Sequence, residues 1–177
     1  MSEQGLIHIY FGNGKGKTTA ALGLALRASG CGKSVVVVQF LKDWKSGELA
    51  PLASLPGVTI LRGKAPGGVF VHEMDEEAKR ETKSIHDSNL KQALDMQREG
   101  KCDLLVLDEA IDAYRLGLLD EKMFNQLLDG KPEPLELVIT GHNPDASILE
   151  RADYVTEMVK HKHPYDLGVA ARKGVEF

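Results

Sequence analysis

The sequence predicts an α/β protein whose mostly parallel sheet of about six strands is covered by helices on both faces. Three observations predict it. Short, near-continuous apolar runs alternate with helix-prone stretches, the order of a buried parallel sheet. A Gly-rich turn stands between the first apolar run and the first helix. A later apolar run, Leu104-Leu105-Val106-Leu107, stops abruptly at two carboxylates, Asp108-Glu109.

The elements follow in order. Leu6 to Phe11 reads as a short buried strand, and Thr18 to Ser29, rich in Ala and Leu and without Pro, as a helix that Gly30 and Gly32 stop. Ser34 to Phe40, with four successive valines, is the clearest buried strand, and Val58 to Leu61 is a short one. Glu73 to Arg98 reads as a long polar helix ended by Gly100. Its Asp75-Glu76-Glu77 complements the helix dipole, and Ile85, Leu90, Ala93, Leu94 and Met96 point inward. After the strand Leu104–Leu107, Asp120 N-caps a helix that carries Met123, Phe124, Leu127 and Leu128. Leu135 to Thr140 gives a fifth strand, Asp145 to Ala152 a short helix and Tyr154 to Val159 a sixth strand. Ligands of such sheets bind beyond the carboxyl ends of the strands, which places the chemistry at residues 12–18, 41–48, 108–112 and 141–144.

Composition bounds the function. A chain of 177 residues fits one domain, 1–177, without internal repeats or low-complexity segments. Its 22 basic and 26 acidic residues leave a net charge of -4, no basis for nucleic acid or an anionic membrane as main partner. Two cysteines, Cys31 and Cys102, make no disulfide framework, and each reads as structural rather than catalytic. No apolar stretch approaches the roughly 20 residues of a membrane span, and Met1-Ser2-Glu3-Gln4 does not open a signal peptide, so a cytoplasmic protein is expected.

Gly12-Asn13-Gly14-Lys15-Gly16-Lys17-Thr18-Thr19 is a phosphate loop by its place between strand and helix, which makes the fold P-loop NTPase-like (RecA-like). Backbone N–H groups at its glycines turn toward an anion, and the helix dipole adds positive potential. Lys17 reaches the outer phosphates and the Thr18 hydroxyl ligates Mg²⁺. Thr19 either touches the α-phosphate or simply lies in the first helical turn. The usual spacing asks for glycine at position 11, where Phe11 stands, so the loop is one residue short. Asp108-Glu109 reads as a Walker B pair in which one or both carboxylates hold Mg²⁺. Glu109 either orients a water or only caps the next helix.

The loop followed by Ala20-Ala21-Leu22-Gly23-Leu24-Ala25-Leu26-Arg27-Ala28 resembles the ATP:corrinoid adenosyltransferases. So do Gln39-Phe40-Leu41-Lys42, Gly47-Glu48, Leu107-Asp108-Glu109, Thr140-Gly141, the stretch Ala152 to Met158, Lys162-His163-Pro164 and the ending Gly174-Val175-Glu176-Phe177. The resemblance covers nearly the whole chain. It implies transfer of the 5′-deoxyadenosyl group of ATP to the Co(I) centre of a corrinoid (cobalamin, cobinamide or cobyrinic acid a,c-diamide), with loss of triphosphate. It further implies Mg²⁺, a reduced flavin or flavoprotein as electron donor, a homodimer, and an ATP turned around relative to other P-loop enzymes. Under that pose Asn13 and Lys15 become phosphate contacts. Lys17, Thr18 and Glu109 then carry the catalysis.

Three departures from the family pattern stand out. Many members carry an N-terminal extension that folds over the site, whereas five residues precede the first strand here, so that lid is expected to be absent or supplied from elsewhere. An aromatic pair Phe-x-Trp that shields the lower corrin face reads here Phe70-Val71-His72. Phe70 can still shield. His72 is a potential ligand, expected to pack against the corrin without coordinating cobalt, the alternative being a loop histidine that touches no substrate. The usual Thr-Gly-Arg reads here Thr140-Gly141-His142, which puts a largely neutral side chain toward the nucleotide where arginine would be permanently charged, or else in an ordinary loop.

Lys160-His161-Lys162-His163 is either near the substrate or a solvated basic stretch, and Trp44 either contacts adenine or corrin or is an exposed loop aromatic. Two other functions compete with adenosyl transfer. A P-loop ATPase or small-molecule kinase releases orthophosphate or ADP, and a nucleotide-regulated binding module leaves ATP intact.

Overall fold

The computed structural model describes residues 4–42, 46–63 and 74–176. In chain order these form β1 (Ile7–Phe11), α1 (Lys17–Gly30), β2 (Val35–Gln39), α2 (Leu49–Ala53), β3 (Val58–Arg62), α3 (Glu76–Arg98) and β4 (Leu104–Asp108). They continue with α4 (Ala110–Arg115), α5 (Glu121–Asp129), β5 (Glu136–Gly141), α6 (Ala146–Leu149), β6 (Tyr154–Glu157) and a 3₁₀ turn, Pro164–Leu167. The strands make one six-stranded sheet in the order β3-β2-β4-β5-β1-β6, every adjacent pair parallel. β5 therefore separates β1 from β4, and its tip lies between the phosphate loop and the Asp108-Glu109 pair.

The valine run explains itself in the sheet. Val35 and Val37 face a cluster built from Ala21, Leu22 and Ala25 of α1 and Leu52 of α2. Val36 and Val38 face the opposite cluster, where Leu90 and Ala93 of α3, Ile111 of α4 and Phe124 and Leu127 of α5 pack on Ile9, Leu105, Leu107 and Ile139. A strand covered on both faces buries every side chain, so its sequence shows no alternation. β6, at the sheet edge, is exposed at all four positions.

Several expectations need correction. α2 was not foreseen: Pro51 discourages a helix, but it stands in the first turn, where its missing N–H costs nothing. α4, six residues long, is too short to show a period. The long helix starts at Glu76, N-capped by Asp75 through a 2.8 Å bond from the Ala78 N–H; Glu73 lies outside the described residues. Its buried stripe is Thr82, His86, Leu90 and Ala93, while Ile85, Leu94 and Met96 are only half-buried. Gly30 is the last residue of α1 rather than its stop; the turn forms at Cys31 and Gly32, whose N–H groups bond Ala28 and Ser29. The helix expected over Asp145–Ala152 spans only Ala146–Leu149, and β6 ends at Glu157. Asp120 caps α5 as expected, accepting from the Met123 N–H at 2.7 Å. Among the described residues no helix is long and apolar enough to cross a membrane.

Candidate functional site

The phosphate loop leaves β1 at Phe11 and enters α1 at Lys17, with Gly16 as N-cap. Among the described residues no side chain caps α1 and no acidic residue stands in its first turn. Its first N–H groups, and the positive end of its dipole, are thus left for an anion. The loop leans on the chain that follows β6. The Gly14 N–H donates to the Met158 carbonyl at 2.6 Å, and a Cβ on Gly14 would stand 2.6 Å from that same oxygen, so only glycine fits. Lys17 is 9% exposed and its ammonium donates to the Gly12 and Gly14 carbonyls at 2.7 and 3.1 Å. Burial lowers its pKa, with Glu109 and Asp112 pulling the other way.

Asp108, wholly buried at the tip of β4, accepts four hydrogen bonds. Its Oδ1 receives the hydroxyls of Thr18 and Thr140, each at 2.8 Å. Its Oδ2 receives the Lys42 ammonium at 2.6 Å and the Gln39 amide at 3.3 Å. The Thr140 hydroxyl also accepts from the Glu109 N–H at 2.9 Å, so the tip of β5 latches the Asp108 carboxylate and the Glu109 backbone to its own strand. Glu109 has a φ of 62, a left-handed conformation that turns its carboxyl toward the mouth of the site. Burial pushes that carboxyl above the usual range, Lys42 offsetting part of the effect. Thr18, Asp108 and Glu109 supply hard oxygen donors at one point, the chemistry that a small divalent cation takes.

Two contiguous cavities open there. One of about 480 Å³ is lined by Thr18, Thr19, Leu22, Lys42, Gly47 and Glu48 together with Val175 and Glu176. The other, about 300 Å³, is lined by the loop from Asn13 to Thr19 with Glu109, His163, Val175 and Glu176.

The whole of this layout lies inside a match to known proteins. Residues 3–177 match the profile of the family described as ATP:corrinoid adenosyltransferase BtuR/CobO/CobP. The chain belongs to this family. It is 36% identical over 179 residues to the Corrinoid adenosyltransferase of Escherichia coli (strain K12), covering 99% of this chain and 87% of that one. It is 34% identical to the Corrinoid adenosyltransferase CobA of Salmonella typhimurium (strain LT2), with 99% and 87% covered. It is 34% identical as well to the Corrinoid adenosyltransferase of Pseudomonas aeruginosa, with 99% and 85% covered.

The structure brings Asn13, Gly14, Lys15, Gly16, Lys17, Thr18, Thr19 and Glu109 to one mouth, with Gly12 and Asp108 buried behind it, and it shows what several already touch. The Asn13 Oδ1 accepts from the Lys160 N–H at 2.9 Å, so this side chain fastens the segment after β6. The Lys15 ammonium donates to the Val175 carbonyl at 3.2 Å and lies 3.5 Å from the Glu176 carboxylate. Arg172 pairs with Glu176 at 2.9 Å, and with it holds that carboxyl far down, to about 2. Thr19 is exposed in the first turn of α1. His142 follows β5 beside the site, but its partner is Asp112: the His142 N–H and Nδ1 lie 2.9 and 3.1 Å from the Asp112 Oδ2. The bond to Asp112 raises the pKa of His142. Burial works against ionisation of Asp112, yet His142 outweighs it and the carboxyl stays below its ordinary value. Gly141 makes this approach possible, since a Cβ there would stand 2.7 Å from the Asp112 carboxylate. Trp44, Phe70 and His72 lie outside the described residues.

Sequence reasoning gave no role to Lys42, Gln39, Thr140 or Asp112. All four stand at strand tips or one turn beyond, in or next to the stretches flagged as ligand-bearing, and only three-dimensional proximity tells them from spacers. The ending Gly174-Val175-Glu176-Phe177 reads in the sequence only as a family likeness, whereas Val175 and Glu176 form a wall of the cleft.

Proposed function

We infer that this protein transfers the 5′-deoxyadenosyl group of ATP to the Co(I) centre of a corrinoid and releases inorganic triphosphate. The observation that carries the reading is the family match over residues 3–177, which takes in the phosphate loop and the Asp108-Glu109 pair at one cleft. The relatives, named corrinoid adenosyltransferases, do not favour the ATPase or kinase alternative.

The reaction balances as a displacement. The cobalt electron pair forms the Co–C5′ bond, the C5′–O bond breaks, and its pair leaves on the triphosphate; cobalt goes from Co(I) to Co(III). No proton has to be removed, so no general base is required. What the protein must supply is stabilisation of charge on the departing polyphosphate. The first-turn N–H groups of α1 grip the phosphates, and Lys17 turns from the Gly12 and Gly14 carbonyls toward their oxygens. Thr18, Asp108 and Glu109 fit Mg²⁺, and when bound it neutralises charge on the phosphate chain. Lys15 and Asn13 stand on the outer side of the loop, within reach of a phosphate that displaces their present partners.

The same reading makes residues 1–177 one nucleotide-binding domain in the cytoplasm, with neither nucleic acid nor membrane as partner. The electron donor is a reduced flavin or flavoprotein. By the family likeness, contact with the corrin is assigned to Phe70 and His72, and contact with the nucleotide to His142. A homodimer is supported by the uncovered edge strand, where Tyr154 and Val155 are 52% and 48% exposed.

The test incubates the protein with ATP, Mg²⁺ and chemically reduced cobalamin. A light-sensitive spectrum of a Co–C bond, with one triphosphate per corrinoid, is expected. Orthophosphate or ADP without the spectral change would overturn the reading.

A further inference from the structure

The Lys42 ammonium sits where the three groups suited to a divalent cation converge. It donates to the Thr18 Oγ1 at 2.9 Å and the Asp108 Oδ2 at 2.6 Å, and it lies 3.9 Å from the Glu109 Oε1. Its side chain is 15% exposed, and the Asp108 carboxylate that it bonds is not exposed at all. Asp108 already has four donors, two on each oxygen. Two hydroxyl donors and the Gln39 amide are neutral, so the charge of Asp108 is balanced directly by Lys42 alone among these four. A cation bound by Thr18 and Asp108 must take lone pairs that Lys42 now holds, and the two positive charges repel at that separation. Lys42 also lines the 480 Å³ cavity beside Thr18 and Thr19, so a rotation about its own side chain leads into the cleft.

We propose that Lys42 is an exchangeable counter-ion. It balances the charge of Asp108, beside Glu109, until a divalent cation binds, is displaced by it, and then places its charge on the polyphosphate. Binding of cation and polyphosphate is thereby coupled: the cation frees the lysine, and the polyphosphate gives the lysine its next partner. The Leu41–Lys42 turn supports the role. Leu41 has a φ of 55, and its N–H donates to His86 Nε2 at 3.2 Å, which fixes the backbone while leaving the lysine side chain free to swing. The proposal uses the nucleotide half of the proposed function and none of its cobalt chemistry.

The test has two arms on the full chain. In the first, Mn²⁺ is titrated without nucleotide and followed by the loss of its free EPR signal. Lys42→Met should bind Mn²⁺ about tenfold more tightly than the parent or more, and Lys42→Arg, which keeps the charge, should not. A mutation that merely loosened the site would weaken Mn²⁺ binding, so equal or weaker binding by Lys42→Met overturns the proposal. In the second, inorganic triphosphate is titrated at saturating Mn²⁺; Lys42→Met should bind it about tenfold more weakly. Unchanged triphosphate affinity overturns the transfer of charge. Should Lys42→Met not fold, the parent protein labelled with ¹⁵N-lysine decides: the Lys42 ammonium resonance must shift when Mg²⁺ and triphosphate are added together, and an unmoved resonance overturns the proposal. Failure of adenosyl transfer with both arms positive would sink the reaction and leave Lys42 its role.

Discussion

His142 and Asp112 show how one residue departs from its family without leaving its place. Arginine at position 142 would be charged at every pH of interest, whereas histidine depends on its partner. The Asp112 carboxylate, 3.1 Å away, raises the His142 pKa above 6.5 and is itself held below 3.8. A raised histidine contributes its full stability below the unfolded-state value and loses it as pH rises through the folded one. A depressed carboxylate contributes above its unfolded value and loses it as pH falls. The pair is therefore at its strongest between about pH 4 and about pH 6.5. The His142 side chain is 42% exposed, so solvent keeps the gain small. Asp112→Asn should bring the His142 pKa, followed by the NMR shift of its ring protons, down to or below 6.5. A value left above it would show that Asp112 does not set the titration. The histidine itself was legible in the sequence as a departure, but its partner was not, because Asp112 lies 30 residues away and meets it only through the β5–α4 packing.

At the scale of elements, the sheet was legible almost strand by strand, because residues buried on both faces leave an unbroken apolar run such as Val35-Val36-Val37-Val38. The short helices were not: α4 offers six residues and α2 contains Pro51, so neither shows a period. On α3 the apolar count misled, since the stripe that packs on the sheet includes Thr82 and His86. His86 is buried because both ring nitrogens have partners there. Its Nδ1 donates to the Leu118 carbonyl at 2.8 Å and its Nε2 accepts from the Leu41 N–H. That tautomer ties α3 to the turn carrying Lys42. Burial lowers the His86 pKa below 6.5, so as pH falls through 6.5 the unfolded chain takes up a proton that the folded one refuses, and stability drops. His86→Leu loses both bonds, at a cost of about 1–3 kcal/mol near neutral pH. It should also flatten the fall in stability between about pH 7 and about pH 5.5, read from urea unfolding at each pH. The His142 pair acts with opposite sign but is common to both proteins, so an identical pH dependence in the two would exclude His86 as its source.

For the molecule as a whole, the cleft is assembled from four regions distant in sequence: the β1–α1 loop, the turn after β2, the tip of β4, and the tail that reaches Lys15 through Val175 and Glu176. A ligand that joins such regions stabilises the fold by mass action. At a free concentration about 100 times its Kd it adds about 2.7 kcal/mol. For a chain of 177 residues each kcal/mol is worth about 2–4 °C, so a rise in Tm of about 5–11 °C is expected with ATP and Mg²⁺. How that rise divides among ligands tests where the binding energy sits. The loop, Lys17 and the Thr18–Asp108–Glu109 group all address phosphate oxygens, and few described groups are committed to the nucleoside. Inorganic triphosphate with Mg²⁺ should then recover most of the ATP shift, orthophosphate little of it, and adenosine least. Should adenosine at comparable concentration protect better than triphosphate, the grip would lie on the base and sugar, and the stabilisation of a departing triphosphate would lose its structural basis.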